Sequence, residues 1–305
     1  SNHHQDEYTQ FDALIGVGKL AEIKMNTPSA FEALRKFYER CDDWLLGYLS
    51  YDLKNEVEDL QSDNQDFQQT PDLYFFQPEK LIIIKGNSCE FHYPDQLKAQ
   101  AQQDFEAIKQ QNTKFQHQSS EVSIRQAISR DEYLRSVDGV LQHIQQGDIY
   151  EMNFCQTFYA DNAEIQPVEV FQKLNQIAES PFAAYCHFDE HDILSASPER
   201  YIQKSGSRVI SQPIKGTAKR LQNKDLDKEI AVKLQNDPKE RAENIMITDL
   251  VRNDLAKTAQ KGSVNVDELC GLHSFKTVHQ LVSTISSQVN GEFDAIELLK
   301  TTFPM

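Results

Sequence analysis

In Pro213-Ile214-Lys215-Gly216-Thr217 a lysine stands between a residue that fixes the backbone and one that frees it, which suits an amine held in one place. An ordinary lysine has a pKa of about 10.4, so presenting a free amine at neutral pH costs roughly 4.6 kcal/mol unless burial or a neighbouring base helps. A lysine exposed in a turn is the bland alternative. Two acidic motifs flank it: Ser197-Pro198-Glu199-Arg200 upstream, and a long segment from Asp237 to Leu255 downstream. Glu199, in the first of these, could pair with Arg200 or Lys215.

The elements around these residues are legible as patterns. Lys204-Ser205-Gly206-Ser207 has the composition of a hairpin turn between the strand-like runs 193–203 and 208–212. Antiparallel pairing about Ser205 and Gly206 sets Glu199 roughly opposite Gln212, with Lys215 a few residues beyond. Downstream, Asp237-Pro238-Lys239-Glu240 carries a cap, a proline at the first helical position and an acid in the first turn, and predicts a helix to about Leu255. At 100° per residue Glu240, Glu243, Ile247, Leu250 and Asp254 share one side. That side reads either as a solvated acidic face or as a carboxylate, Glu243, aimed into a pocket with Arg241 and Asn244 beside it. The second arrangement suits a hard cation such as Mg²⁺.

Elsewhere, Ser29 to Cys41 is helix-like, and runs 81–84 and 89–93 are strand-like. Ala101, Phe105 and Ile108 fall at helical spacing before a polar tail, Gln116 to Ser120, expected to be a surface connection. Ser129-Arg130-Asp131-Glu132 is a capping box. The apolar stripe behind it (Tyr133, Leu134, Val137, Val140, Leu141, Ile144), closed by Gly147, is expected to be core. Residues 150–159, 182–188 and 264–266 are further strand candidates.

Composition narrows the classes. The 305 residues carry 31 Lys and Arg against 47 Asp and Glu, a formal net charge of -16, with no basic stripe. A nucleic-acid partner is therefore not expected. No apolar run approaches the ~20 residues that span a bilayer, and the first residues lack a signal core, so a cytoplasmic protein without a membrane partner is expected. The five cysteines are scattered, without a C-x-x-C pair, which argues against a disulfide framework or a zinc site.

Taken in order, Gly147-Asp148-Ile149-Tyr150-Glu151-Met152-Asn153-Phe154, Ser197-Pro198-Glu199-Arg200, Pro213 to Thr217, Asp237 to Leu255, Thr277 to Thr284 and Thr302-Phe303-Pro304 resemble the chorismate-utilising enzymes. That family holds anthranilate and aminodeoxychorismate synthases, with isochorismate and salicylate synthases more distant. The resemblance runs through most of residues 129–305 and is weaker before them, chiefly in Gly47 to Asp52. It implies an α+β fold of antiparallel sheets packed as a β-sandwich with helices outside, incomplete at the C-terminus. Residues 1–118 would form an N-terminal subdomain and 119–305 a truncated chorismate-binding subdomain. The Leu-Leu-x-Ser element of tryptophan-regulated members has no counterpart.

Within the family, lysine in Pro-Ile-x-Gly-Thr marks the aminodeoxychorismate synthase type, where anthranilate synthase has alanine. The resemblance then implies that Lys215 attacks ring carbon 2 of chorismate and that Glu199 handles protons. It implies that His279 lies near the substrate, against the alternative of a satisfied core histidine, and that Glu243 binds Mg²⁺. Gly216 and Thr217 would offer donors to a substrate carboxylate. Ammonia would come from a separate glutaminase subunit. Family members continue beyond Thr-Phe-Pro into a segment that completes the pocket, so these 305 residues are expected to turn over little. Anthranilate synthase, and a non-catalytic protein that binds chorismate or an effector, are the rival readings.

Overall fold

A computed structural model describes residues 6–61, 64, 66–111, 122–291 and 293–304. The chain forms two compact units, one of Ser1–Gln111 with Phe171–Met305 and one of Asn112–Val170.

The larger unit opens with strand β1 (Ala13–Met25), helix α1 (Ala30–Cys41), strand β2 (Leu46–Leu49) and a single turn α2 (Lys54–Val57). Strands β3 (Leu73–Lys85) and β4 (Ser88–His92) and helix α3 (Ala101–Gln110) follow, taking in the expected strands at 81–84 and 89–93 and the expected helix after Ala101. The sheet order is β1-β3-β2, with β4 also on β3, and every pairing is antiparallel. Helix α1 buries Ala30, Phe31, Leu34 and Phe37, a one-sided set at helical spacing. Ala30, Phe31 and Leu34 join Leu53 and Leu73 in an apolar cluster.

In the smaller unit β5 (Arg125–Gln126), α4 (Arg130–Gln146) and β6 (Phe158–Tyr159) are described. The capping box forms: Glu132 N–H donates to Ser129 Oγ at 3.3 Å, and Ser129 N–H to Glu132 Oε2 at 2.9 Å. Gly147 ends the helix at φ 83°. The stripe expected to be core is not buried, with Leu134 and Leu141 exposed by 42% and 49%. Among the described residues this unit offers little apolar surface beside the helix, chiefly a two-residue ladder and the Tyr133–Phe154 ring contact. Of the strand expected over 150–159, only Phe158 and Tyr159 pair. The tail 116–120 lies outside the described residues.

After α5 (Pro167–Ala178) the larger unit resumes with β7 (Phe182–Phe188) and β8 (His191–Ser197), then β9 (Arg200–Ser205), β10 (Arg208–Gln212) and β11 (Ile214–Lys219). Helices α6 (Lys224–Asn236) and α7 (Pro238–Ala256), strands β12 (Asn265–Ser274) and β13 (Val278–Gln288), and helix α8 (Ala295–Thr302) complete it. Strand β13 organises the second sheet, pairing β10 and β11 along one edge and β12 along the other. Helix α7 turns Asn244, Thr248, Val251 and Leu255 inward, and Val251 and Leu255 pack with Val209, Ile285, Val289 and Leu298. Ile296 and Leu298, both on α8, belong to the two different clusters. The fold is thus the expected α+β arrangement of antiparallel sheets flanked by helices. Among the described residues no helix is long and apolar enough to cross a membrane.

Candidate functional site

The hairpin between β9 and β10 forms where the sequence places it, with Ser205 opposite Arg208 and Gly206 at φ 57°. A register shift between Ile210 and Gln212 sets Gln212 opposite Arg200. Glu199 is thereby carried to the free side of β11, where its Oε1 accepts from Ile214 N–H at 2.9 Å. Arg200 turns elsewhere, donating to Gln212 Oε1 (2.8 Å), Gln203 Oε1 (2.6 Å) and Asp6 Oδ2 (2.9 Å). Glu199 is exposed at the surface, and partial desolvation of its carboxyl beside the strand pushes it above the ordinary carboxylate range. The Ile214 hydrogen bond and the positive charge of Lys215 pull the other way. Glu199 and Lys215 are therefore electrostatic neighbours, with Lys215 half-buried.

Lys215 sits in a β-bulge. Ile214 pairs with Val282 and Thr217 with Gln280, so Lys215 and Gly216 together oppose one residue, Leu281. Gly216 takes φ 92°, a conformation that favours glycine, and a Cβ there would lie 3.2 Å from Glu240 Cβ. The first turns of α7 are thus pressed against the bulge. The helix starts as expected, with Asp237 Oδ1 accepting from the N–H groups of Lys239 (2.9 Å) and Glu240 (3.1 Å).

The acidic side of α7 is uneven. Glu240 and Glu243 are half-buried, Leu250 is exposed and Asp254 is buried beside Lys257 at 2.8 Å. Lys239 Nζ bridges Glu243 Oε1 (2.9 Å) and Glu240 Oε1 (3.5 Å). Among the described residues no group of three His, Cys, Asp or Glu side chains is arranged to hold a metal ion. Next in the helix, Asn244 is fully buried and donates to the carbonyls of Lys215 (3.3 Å) and Leu281 (2.9 Å).

The structure sends His279 and its neighbour to opposite faces of β13. His279 is buried, with Nε2 3.1 Å from Asp227 Oδ1 on α6 and Nδ1 2.8 Å from Ser274 Oγ. Arg220 grips Asp227 from the other side at 2.9 and 3.1 Å, and Leu221 N–H donates to it at 2.7 Å. Those contacts, the Arg220 guanidinium first, bring the Asp227 carboxyl down to about 2. Both ring nitrogens of His279 are thus committed within this cluster. Gln280 instead shares its side of the sheet with Thr217, donating from Nε2 to Thr217 Oγ1 at 3.3 Å. It is 9% exposed, and its Oε1 has no hydrogen-bond partner among the described residues. The sequence reading passed over Gln280, yet the two-residue period of a strand separates the two side chains.

Lys215, Gly216 and Thr217 therefore line one bulged strand with Glu199 on its free side, and Glu240 packs beneath. Glu243 lies one turn further along α7 and is tied to Glu240 through Lys239. This grouping sits within a chain whose residues 3–305 match the family described as chorismate binding enzyme. The chain belongs to that family. Aminodeoxychorismate synthase component 1 from Escherichia coli is 41% identical over 177 residues, which make up 58% of this chain and 39% of that protein. An anthranilate synthase component I-like protein from Synechocystis is 32% identical over 268 residues, 85% of this chain and 54% of its own. Among solved structures, anthranilate synthase component I from Streptococcus pneumoniae matches with a TM-score of 0.83 and 21% identity, over 99% of this chain and 74% of its own. That last likeness speaks to the fold alone. The chain spans between 39% and 54% of the length of these two curated relatives.

Proposed function

We propose that this protein is the synthase component of an aminodeoxychorismate synthase, converting chorismate and ammonia to 4-amino-4-deoxychorismate. The observation that carries the reading is the Glu199 carboxyl, held by Ile214 N–H at the start of the bulged strand that bears Lys215. The Lys215 amine bonds to ring carbon 2, the ring double bonds shift, and the carbon–oxygen bond at carbon 4 breaks. Glu199 gives a proton to the departing oxygen, which leaves as water. Ammonia then bonds at carbon 4, the double bonds shift back, and the carbon 2–nitrogen bond breaks to return the lysine. The names of relatives as "component 1" support a second component as partner, and we assign to it the hydrolysis of glutamine that supplies ammonia.

Mg²⁺ fits the donors available. One carboxylate, Glu243, with Glu240 a turn before it, supplies the one or two protein oxygens that this ion takes when substrate and water complete its shell. When bound, the ion would neutralise the substrate's carboxylate beside an acidic helix. Glu243 must then exchange Lys239 for the metal, while Gly216 and Thr217 offer donors to the same substrate group.

The test follows stoichiometric chemistry, one event per chain. The protein is incubated with chorismate, Mg²⁺ and ammonium, and both protein and solution are read by mass spectrometry, with Lys215→Ala alongside. The expected result is an adduct of chorismate less water on Lys215, and aminodeoxychorismate that disappears in the variant. Anthranilate from the unaltered chain would move it to the anthranilate synthases, and product that survives Lys215→Ala would remove the nucleophile. Neither adduct nor product would leave a chorismate-binding chain without chemistry.

A further inference from the structure

We propose that Asn244 is the positioning residue for Lys215, setting the bulge from which the lysine projects; the functional weight of this rests on Lys215 being the nucleophile. A bulge interrupts the ladder, so the carbonyls on its two sides need partners from outside the sheet. Here the Lys215 carbonyl on β11 and the Leu281 carbonyl on β13 both accept from one amide nitrogen, Asn244 Nδ2, at 3.3 and 2.9 Å. The amide oxygen is filled as well. Asn244 Oδ1 accepts from Ser283 Oγ at 2.5 Å and from Cys270 Sγ at 3.5 Å. Ser283 Oγ in turn accepts from Cys270 N–H at 3.0 Å, which ties in β12. Two donors and two acceptor positions exhaust what an asparagine side chain can offer, and this one is 0% exposed.

The choice of residue follows from that inventory. Alanine would leave both carbonyls to find other partners, aspartate would offer no donors, and glutamine would add a methylene where there is no room. Register is what the clamp protects. A slip of one residue would exchange Lys215 with Gly216, turning the amine away and forcing a lysine into the φ 92° position beside Glu240. Asn244 also adjoins Glu243, so the clamp fixes the acid-bearing turn of α7 and the amine-bearing bulge of β11 to each other.

The experiment uses the 305-residue chain and the variant Asn244→Ala. Reductive methylation of Lys215 is followed by peptide mass spectrometry across a range of pH, relative to the well-exposed Lys36, while circular dichroism reports the fold. Asn244→Ala is expected to change the relative rate at Lys215 roughly threefold or more, with Lys36 unchanged. The yield of chorismate adduct at saturation should fall. A folded Asn244→Ala in which Lys215 keeps both its relative rate and its pH profile would overturn the proposal. If that variant does not fold, Ser283→Ala and Cys270→Ala, which remove the groups holding Asn244, are read by the same ratio. Should Lys215→Ala still give product, the nucleophile reading falls, while the labelling ratio decides the clamp independently.

Discussion

Gly216→Ala tests whether the bulge is as tightly seated as its geometry implies. At φ 92° an L-residue loses about 1–2 kcal/mol relative to glycine. The new methyl would meet Glu240 Cβ and Leu281 Cδ1 at 3.2 Å and Glu240 Oε2 at 3.3 Å. The carboxylate can swing away, but Glu240 Cβ moves only with the α7 backbone and Leu281 is fully buried, so overpacking adds about 1–3 kcal/mol. The sum, about 2–5 kcal/mol, corresponds to a fall in Tm of at least roughly 4 °C for a domain of this size. Gly86→Ala is the control: its φ is 56°, and a Cβ there meets nothing within 4 Å, so it carries the conformational cost without the crowding. Thermal unfolding of both variants, followed by circular dichroism, separates the two contributions. If Gly216→Ala melts within about 1 °C of Gly86→Ala, α7 is not seated against the bulge and the packing argument fails.

Three further outcomes follow from the charges. Because partial desolvation raises the Glu199 carboxyl, its protonated form persists to higher pH than in a fully solvated glutamate, so adduct formation should fall as pH rises through that raised value. Glu199→Gln should remove this limb, and an unchanged profile in the variant would exclude Glu199 as the acid. Asp227 is lowered from 3.8 to about 2, so the stability it contributes is present above 3.8 and is lost as pH falls through about 2. The gap in melting temperature between the protein and Arg220→Gln should therefore narrow over that interval; a constant gap would mean that Arg220 acts through packing alone. Finally, Lys239→Met removes the cation held by Glu243 and Glu240 and should tighten Mg²⁺ binding severalfold by calorimetry. Unchanged affinity would count against Glu243 as a ligand.

What was legible in the sequence follows the range of the interactions. Signals carried within one element read well: the Ser129–Glu132 box, the Asp237 cap with Pro238 behind it, and the Gly206 turn all formed as written. The approach of Glu199 to Lys215 also came through, because a hairpin and one proline leave little room for another path. The stripe on α4 was misread because periodicity shows that a helix has an apolar face without showing what covers it. His279 drew attention through its chemistry, whereas its direction depended on the alternation of β13 and on Asp227, 52 residues earlier. The role of Asn244 was hidden for a related reason: its partners come from three strands that meet only in the folded sheet.

Helix α8 has a consequence for the order in which the chain can fold. Ile296 completes the cluster under α1, and Leu298 completes the cluster between α7 and β13. Arg35 on α1 reaches Asp294 at 2.6 Å and Glu297 at 2.8 Å, partners some 260 residues later. During synthesis, then, the sheet that carries α1 is made early and must wait with its apolar cluster open until α8 arrives, whereas the second sheet ends at Gln288, just before that helix, and α8 closes both. Premature release of a nascent chain before residue 294 would free two sticky surfaces at once, and a chaperone that shields newly made chains would have its longest task here.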